Sequence, residues 1–509
     1  MGPVDVLLRS TAVYDAVAGT SRPGHVAVAG DTIVSVGPGN GAELVGPRTA
    51  VHELGDGLVT PAFHDNHTFL TATLLDHAGA DGGGLGSLEQ VVAALATLPR
   101  TGVLVARDVD LPDTPRDLVG AALDQAFPDD PVVVVGRGRA WLVPNSPATR
   151  RFGDLDPASN ESLAPLYAAL AEDAALVEKV YRAAAAELGA RGVVSVKEIA
   201  FDDYLGVLPV LERLTADGGF PLRISVASQP VRARADLEFA EAMRRTHTSP
   251  ALRFHGFKLM TDGSFDEFGA HLLGPDDEWT RLQRWHVDYG HVEDETRRIL
   301  RAGHAVALNA DGDGAVHRCL DVLETAREDG IPIPAGTSLS DVSLVSDQDA
   351  VRAGRLGLFC EVYPQLLLIE GYTTDLVRSI LGPEREQRLG NFAALTRAGA
   401  CLAAGTDLPL FLPSVPEALL STAERRFPDG GPEGGWHAER ALSRAQVLDS
   451  WTIGGARATG AAGWTGTLEV GKRADIAAHD RDLLDVPVEE LAGASVVLTL
   501  AGGAVVHRR

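Results

Sequence analysis

The stretch Val59-Thr-Pro-Ala-Phe-His-Asp-Asn-His-Thr-Phe69 decides the fold. An apolar run closes on His64, Asp65 and His67, the pattern of a strand buried on both faces whose end carries polar side chains. Working outward, the pattern recurs in Phe257-Lys-Leu-Met-Thr-Asp-Gly-Ser264, Gly303-His-Ala-Val-Ala-Leu-Asn309, Thr337-Ser-Leu-Ser-Asp341, Phe359-Cys-Glu-Val-Tyr363 and Cys401-Leu-Ala-Ala-Gly-Thr-Asp407. Further strand candidates are Val193–Val196 and Leu222–Val226. Helical patterns lie between: Leu163–Leu188, Asp236–Arg245, Glu293–Ala302, Ala315–Glu328 and Ser346–Ala353. Strand–helix alternation on this scale predicts an α/β fold with a parallel sheet, and the count suits a (β/α)8 TIM barrel over residues 61–455. Chemistry in such barrels sits at the C-terminal ends of the strands, where these polar residues fall.

The two ends of the chain have a different character. Residues 1–60 read as short strands (Val4–Leu8, His25–Val28, Thr32–Val36, Val51–Leu54) separated by Gly-rich turns, and residues 456–509 read the same way. Neither segment is long enough for a large core alone, so the two are predicted to pair as one small β-sandwich domain.

Composition narrows the function. The 509 residues carry 45 Lys+Arg against 70 Asp+Glu, a net charge of −25, with 45% hydrophobic and 23% charged residues. This is a globular composition, and its acidity argues against a nucleic-acid partner, which requires a basic face. No run of 18 apolar residues suggests a membrane span, and the N-terminus reads without a signal peptide. The three cysteines, Cys319, Cys360 and Cys401, make no CxxC pair and suit a reducing interior. The expectation is a cytoplasmic protein with a small-molecule substrate, no nucleic acid and no membrane. Gly82-Gly-Gly-Leu-Gly86 lacks a following Lys-Ser/Thr and reads as a plain loop.

The strand-end motifs resemble the amidohydrolase superfamily, specifically its third amidohydrolase family, which includes N-substituted formamide deformylases. The resemblance runs nearly end to end. Trp451-Thr-Ile-Gly-Gly-Ala-Arg-Ala-Thr-Gly460 and Gly466-Thr-Leu-Glu-Val-Gly-Lys-Arg-Ala-Asp475 resemble the family's C-terminal signature. It implies a metal-dependent hydrolase of C–N bonds other than peptide bonds, and family habit adds a homodimer. Carried over residue by residue, the site departs from the pattern. In the family's His-x-His motif, His67 keeps the first histidine and Phe69 replaces the second. Lys258 stands where the family has a metal-bridging carboxylated lysine. The strand-5 histidine is Asn309, the strand-6 Glu-His pair is Ser340-Asp341, and only the strand-8 Asp407 is plainly retained.

Zinc takes imidazole in preference to hard oxygen or amide donors. A binuclear zinc centre is therefore not expected. The expectation is no metal, or a single weakly bound divalent ion on His67, Asp341 and Asp407. His67 reads as ligand, general acid/base or leftover histidine. Asp407 must neutralise a metal, a protonated histidine or Lys258. Asp341 and Asp407 would form an acid/base pair, or Asp341 a salt bridge to Lys258. Lys197, at another strand end, would polarise a carbonyl in the space of the lost metal, or be a surface lysine. His64 joins the catalytic candidates. Asn309, Phe69, Glu361 and Tyr363 are read as substrate contacts. Asp262, Asp311 and Asp313, next to glycines, read as caps of backbone N–H groups. The first functional reading is an enzyme acting on an amide- or formamide-type C–N bond with an altered or absent metal centre. The alternatives are a metal-independent lyase, cyclase or isomerase of specialised metabolism, and a non-catalytic ligand-binding pseudoenzyme.

Overall fold

The computed structural model describes residues 4–157, 159–201, 206–231, 234–274 and 286–509. Eight strands follow one another in parallel: β1 (Phe63–Thr68), β2 (Val193–Phe201), β3 (Arg223–Gln229), β4 (Leu252–Leu259), β5 (Ala305–Asn309), β6 (Ser338–Ser340), β7 (Phe359–Val362) and β8 (Cys401–Ala404). A parallel bridge between Thr68 and Leu408 brings the last strand back to the first, giving a nearly closed barrel. Every residue of β1, β3 and β5 is buried. β5 is a nearly continuous apolar run, as a strand covered on both faces is. By contrast, β1 places His64, Asp65, Asn66 and His67 inside the barrel, and the apolar residues before it, Leu58–Pro61, form a strand of the terminal sheet.

The helices cover the outside of this sheet through one face each. Tyr289–Arg301 starts where the Asp288 side chain accepts the His291 N–H at 3.1 Å, and it buries Val292, Ile299 and Leu300. Asp313–Glu328 buries Val316, Cys319, Leu320, Leu323 and Ala326, the 3–4 spacing of an amphipathic helix. Asp347–Leu356 is capped by Ser346 and ends at Gly357, whose φ of +70° is a left-handed closure that favours glycine.

The two termini share one sheet. Ile476–His479 runs antiparallel to Leu58–Pro61, pairing Ile476 with Pro61 and Ala478 with Val59. The sheet continues through Val496–Ala501 to Ala504–Arg508 on one side, and through Val6–Asp15 and Thr20–Ala29 to Thr32–Gly37 on the other. Its core is Val26, Val28, Ile33, Val59, Ile476, Leu498 and Leu500.

A second compact unit comprises Phe69–Ala184 and Ala200–Gly219. The sequence reading does not distinguish it. Its sheet has the order Leu142–Pro144, Val132–Gly136, Leu104–Val109, Ala80–Asp81, with Val91, Leu95, Val119, Leu123 and Phe127 packed against it. The glycine stretch at 82–86 is a loop leading into helix Leu88–Ala96, as read from the sequence. The single helix predicted over Leu163–Leu188 is two, Asn160–Ala171 and Ala174–Ala190. The break falls where Asp173 turns its side chain back to accept the Ala175 and Leu176 N–H groups at 3.0 and 3.1 Å, starting a new helix. Among the described residues, no helix is long and apolar enough to cross a membrane.

Candidate active site

The C-terminal ends of the barrel strands bring together most of the polar residues that close the apolar runs. His67 lies at the centre with no solvent exposure. Its Nδ1 is 3.3 Å from Glu361 Oε2, and its Nε2 is 2.9 Å from Lys258 Nζ. Asp341 Oδ1 and Asp407 Oδ1 lie 3.6 and 3.9 Å from the same Nε2. Lys258 Nζ is also 3.0 Å from Asp341 Oδ2. The Tyr363 hydroxyl donates to Asp341 Oδ1, and its ring meets the His67 imidazole edge-on with centroids 5.5 Å apart. On the far side of His67, Glu361 Oε1 accepts from Lys197 Nζ and, at 2.5 Å, from Ser338 Oγ.

The strand-to-loop turns aim the two outer carboxylates. Asp341 and Asp407 have φ of +60° and +51°. This left-handed region is one that aspartate tolerates better than most residues. Asp407 is held there by its N–H donating to the His67 carbonyl at 2.8 Å. Conformations of this kind persist where the surroundings over-determine them, often at functional sites.

Charge differs sharply between the carboxylates. Burial would raise Asp341, but the Lys258 ammonium, His67 and Tyr363 together hold it well below the usual carboxylate range. Burial pushes Asp407 up to about 6, and the negative Asp341 adds to this against the pull of His67 and Lys258. Glu361 is brought down to about 2 because Lys197 and His67 outweigh its burial. Burial lowers Lys197 despite its pairing with Glu361. One carboxylate of the outer pair is thus a fixed anion, and the other titrates near neutral pH.

An amidohydrolase family model matches residues 50–507, nine-tenths of the sequence. The chain belongs to the amidohydrolase family. The N-substituted formamide deformylase of Arthrobacter pascens is 24% identical to it over 220 residues, which are 43% of this chain and 39% of that protein's length. A metal-dependent hydrolase from Pyrococcus horikoshii has a TM-score of 0.71 at 22% identity, covering 95% of this chain and 99% of that one. Atrazine chlorohydrolase from Arthrobacter aurescens, crystallised with zinc, has a TM-score of 0.55 at 14% identity, with 99% and 95% covered. At these identities the two structures establish the shared barrel fold.

Within this amidohydrolase barrel, five of the residues singled out from the sequence meet in one cluster: His67, Lys258, Asp341, Asp407 and Tyr363. Three others need correction. Lys197 is not a surface lysine; it is buried against Glu361. Glu361 is only 1% exposed, with both oxygens engaged by Lys197, Ser338 and His67, so it orients His67 rather than lining an open pocket. His64 is not part of the cluster. It lies near the start of β1 beside Arg223 and Arg253, and burial followed by these two charges lowers it to about 3. Asn309 reaches the strand end but donates from Nδ2 to the Asp262 carbonyl at 2.9 Å. Phe69 is buried in the second unit, at the start of the short turn Leu70–Thr73.

Asp262 caps backbone as expected, accepting from the N–H groups of His271, Asp311 and Gly312 at 2.8–3.0 Å. Asp311 and Asp313 likewise accept the Phe265 and Leu273 N–H groups. Two supporting residues have no role assigned from the sequence. Ser338, on the three-residue strand Ser338-Leu-Ser340, holds Glu361; its signal is a pair of hydroxyls alternating on a buried barrel strand. Asp65 accepts from Thr406 Oγ1 at 2.5 Å and from the Thr406 and His67 N–H groups, joining the ends of β1 and β8.

Proposed function

We propose that this chain hydrolyses the C–N bond of a small amide- or formamide-type molecule and that it does so without a binuclear zinc centre. The observation that carries the reading is the placement of Lys258 Nζ, 2.9 Å from His67 Nε2 and 3.0 Å from Asp341 Oδ2. The imidazole nitrogen that the family pattern gives to a metal faces an ammonium group here. The other donors do not fit such a centre either. Phe69 has no donor atom, Asn309 is a poor ligand turned to Asp262, and Asp341 is a hard oxygen in ion pair with Lys258. Among the described residues, no group of three or more His, Cys, Asp or Glu side chains is arranged to hold a metal ion.

The chain's own residues supply the chemistry in the following way. Asp407, whose side chain is 30% exposed, is the most accessible acid of the cluster. It takes a proton from water as the water oxygen attacks the carbonyl carbon, and gives it to the leaving nitrogen as the C–N bond breaks, yielding a carboxylic acid and an amine. The Lys258 ammonium faces the developing oxyanion. Asp341, held in turn by the Tyr363 hydroxyl, fixes that ammonium, and Glu361 fixes the imidazole by accepting from Nδ1–H, so that Nε2 accepts from Lys258. His67 is thereby a positioning residue, enclosed between Glu361 and Lys258. The relative in Arthrobacter pascens supports the substrate class through its name.

The test is amine release from a panel of N-substituted formamides and small amides by the purified full chain, with elemental analysis on the same sample. The expected result is turnover that chelators leave unchanged, with metal well below one ion per chain. Two tightly held ions per chain, with activity lost to chelators and restored by zinc, would overturn it.

A further inference from the structure

A second polar cluster lies at the opposite, N-terminal ends of the barrel strands. His64 near the start of β1, Ser195 in β2, Arg223 and Ser225 in β3, Arg253 in β4 and Trp464 line a small cavity of about 10 Å3. That is room for one water-sized body. Four polar atoms here are buried without a partner: Arg223 Nη1 and Arg253 Nε, which donate, and Ser195 Oγ and His64 Nε2, which donate when the hydroxyl turns inward and the imidazole carries its proton on Nε2. His64, Ser195 and Arg223 are each more than nine-tenths buried. Two acceptor side chains also border the cavity. Asp65 has its oxygens occupied by Thr406 and by the His67 and Thr406 N–H groups, and Asn66 Oδ1 is the one acceptor left unpaired.

Charge is as uneven as hydrogen bonding. Arg223 pairs with Asp475 at 2.7 Å. Arg253 donates to Ser225 Oγ at 3.2 Å and has no carboxylate partner among the described residues. Both guanidinium groups lie against the Trp464 ring, at 5.9 and 5.4 Å from its centroid. Arg253 is only partly buried, but its Nε is enclosed; a charge partly withdrawn from water without a counter-charge is costly, and so is each buried donor left unpaired. One water accepts at most two hydrogen bonds, so with the His64 proton on Nε2 it leaves donors over, and it neutralises no charge. A single anion accepts from all four and balances Arg253. The cavity's size excludes anions built of several oxygens.

We propose that this end of the barrel binds one monatomic anion, a halide such as chloride, between Arg223, Arg253, His64 and Ser195. The ion ties β1–β4 to the Thr459–Trp464 segment and acts as a structural ligand; Lys197, paired with Glu361, also borders the cavity.

The experiment is thermal unfolding of the full chain at constant ionic strength, with sodium gluconate exchanged for sodium chloride or bromide, together with anomalous scattering from bromide-soaked crystals. Expected are a Tm higher by about 2–4 °C in either halide and an anomalous peak between Arg223 and Arg253. Arg253→Met loses the halide increment. Ser195→Ala, which removes only one hydroxyl, reduces it and serves where Arg253→Met does not fold. Equal Tm in gluconate and halide, an increment that survives both substitutions, or a water alone at the site would each overturn the proposal.

Discussion

The two ends of the barrel interior solve the problem of buried charge in opposite ways. At the C-terminal end each lysine meets a carboxylate: Lys197 pairs with Glu361, and Lys258 pairs with Asp341. At the N-terminal end two arginines and a neutral histidine face one another with donors in excess, and among the described residues only Arg223 of the two arginines has a carboxylate. A closed ionic network pre-organises groups and tunes their protonation, which is what catalysis needs. An unbalanced one calls for a ligand. The difference shows that polar residues inside a barrel cannot be assigned a role by type, only by whether their charges and hydrogen bonds already balance.

The sharpest way to break this comparison is to remove a group expected to act chemically. Asp407→Asn is expected to lower kcat by about 10²–10⁴ while leaving the unfolding midpoint and its halide increment unchanged. In the wild type kcat/KM should rise about tenfold between pH 5 and 7 as the Asp407 carboxyl, near 6, gives up its proton. Steady-state kinetics across pH check both, and a full rate in the variant would remove Asp407 from the mechanism.

Next in size is the cost of breaking the closed network. Lys197→Met leaves Glu361, 1% exposed, without its buried counter-charge. Loss of one partner of a buried pair costs about 3–5 kcal/mol, read from urea unfolding. Adding Glu361→Gln to Lys197→Met should restore part of that stability. If the double variant is no more stable than the single one, the pair is not the unit proposed here.

The smallest effect belongs to the other end and is one of pH. Burial and the two arginines lower His64 to about 3, below the ordinary histidine value of 6.5. Between these values the unfolded chain binds a proton that the folded chain does not, so His64 withdraws stability as pH falls from 6.5 toward 3. The slope is about 1.4 kcal/mol per pH unit for one such group. In chloride-free buffer, His64→Gln should flatten the decline in unfolding free energy between pH 6.5 and 5. An unchanged slope would show that His64 already shares its proton with a neighbour.

Local pattern made most of the barrel legible. Ala305–Asn309 and Cys401–Ala404 are strands at the predicted residues, because a strand buried on both faces must be apolar throughout. Asp288, Ser346 and Asp173 mark helix starts through hydrogen bonds spanning two or three residues, a range that sequence can encode. The Asp173 signal was present but overlooked beneath the apolar periodicity around it. Of the candidate site, the strand-end position of His67, Lys258, Asp341 and Asp407 was readable because polar residues closing apolar runs are conspicuous. The partners of Glu361 and His64 were not, because they join residues up to 294 positions apart.

The sequence by itself determined the α/β barrel and the union of both termini in one sheet. These follow from periodicity and from the shortness of the terminal segments. Only the tertiary structure decided that Lys258 lies on His67 and Asp341, that Glu361 faces inward, and that His64 belongs with Arg223 and Arg253 at the other end of the barrel. The physical reason is that a strand's alternation fixes which residues share a face. Ring closure and strand register fix which of those faces meet, and a buried charge takes its protonation state from the groups so brought against it.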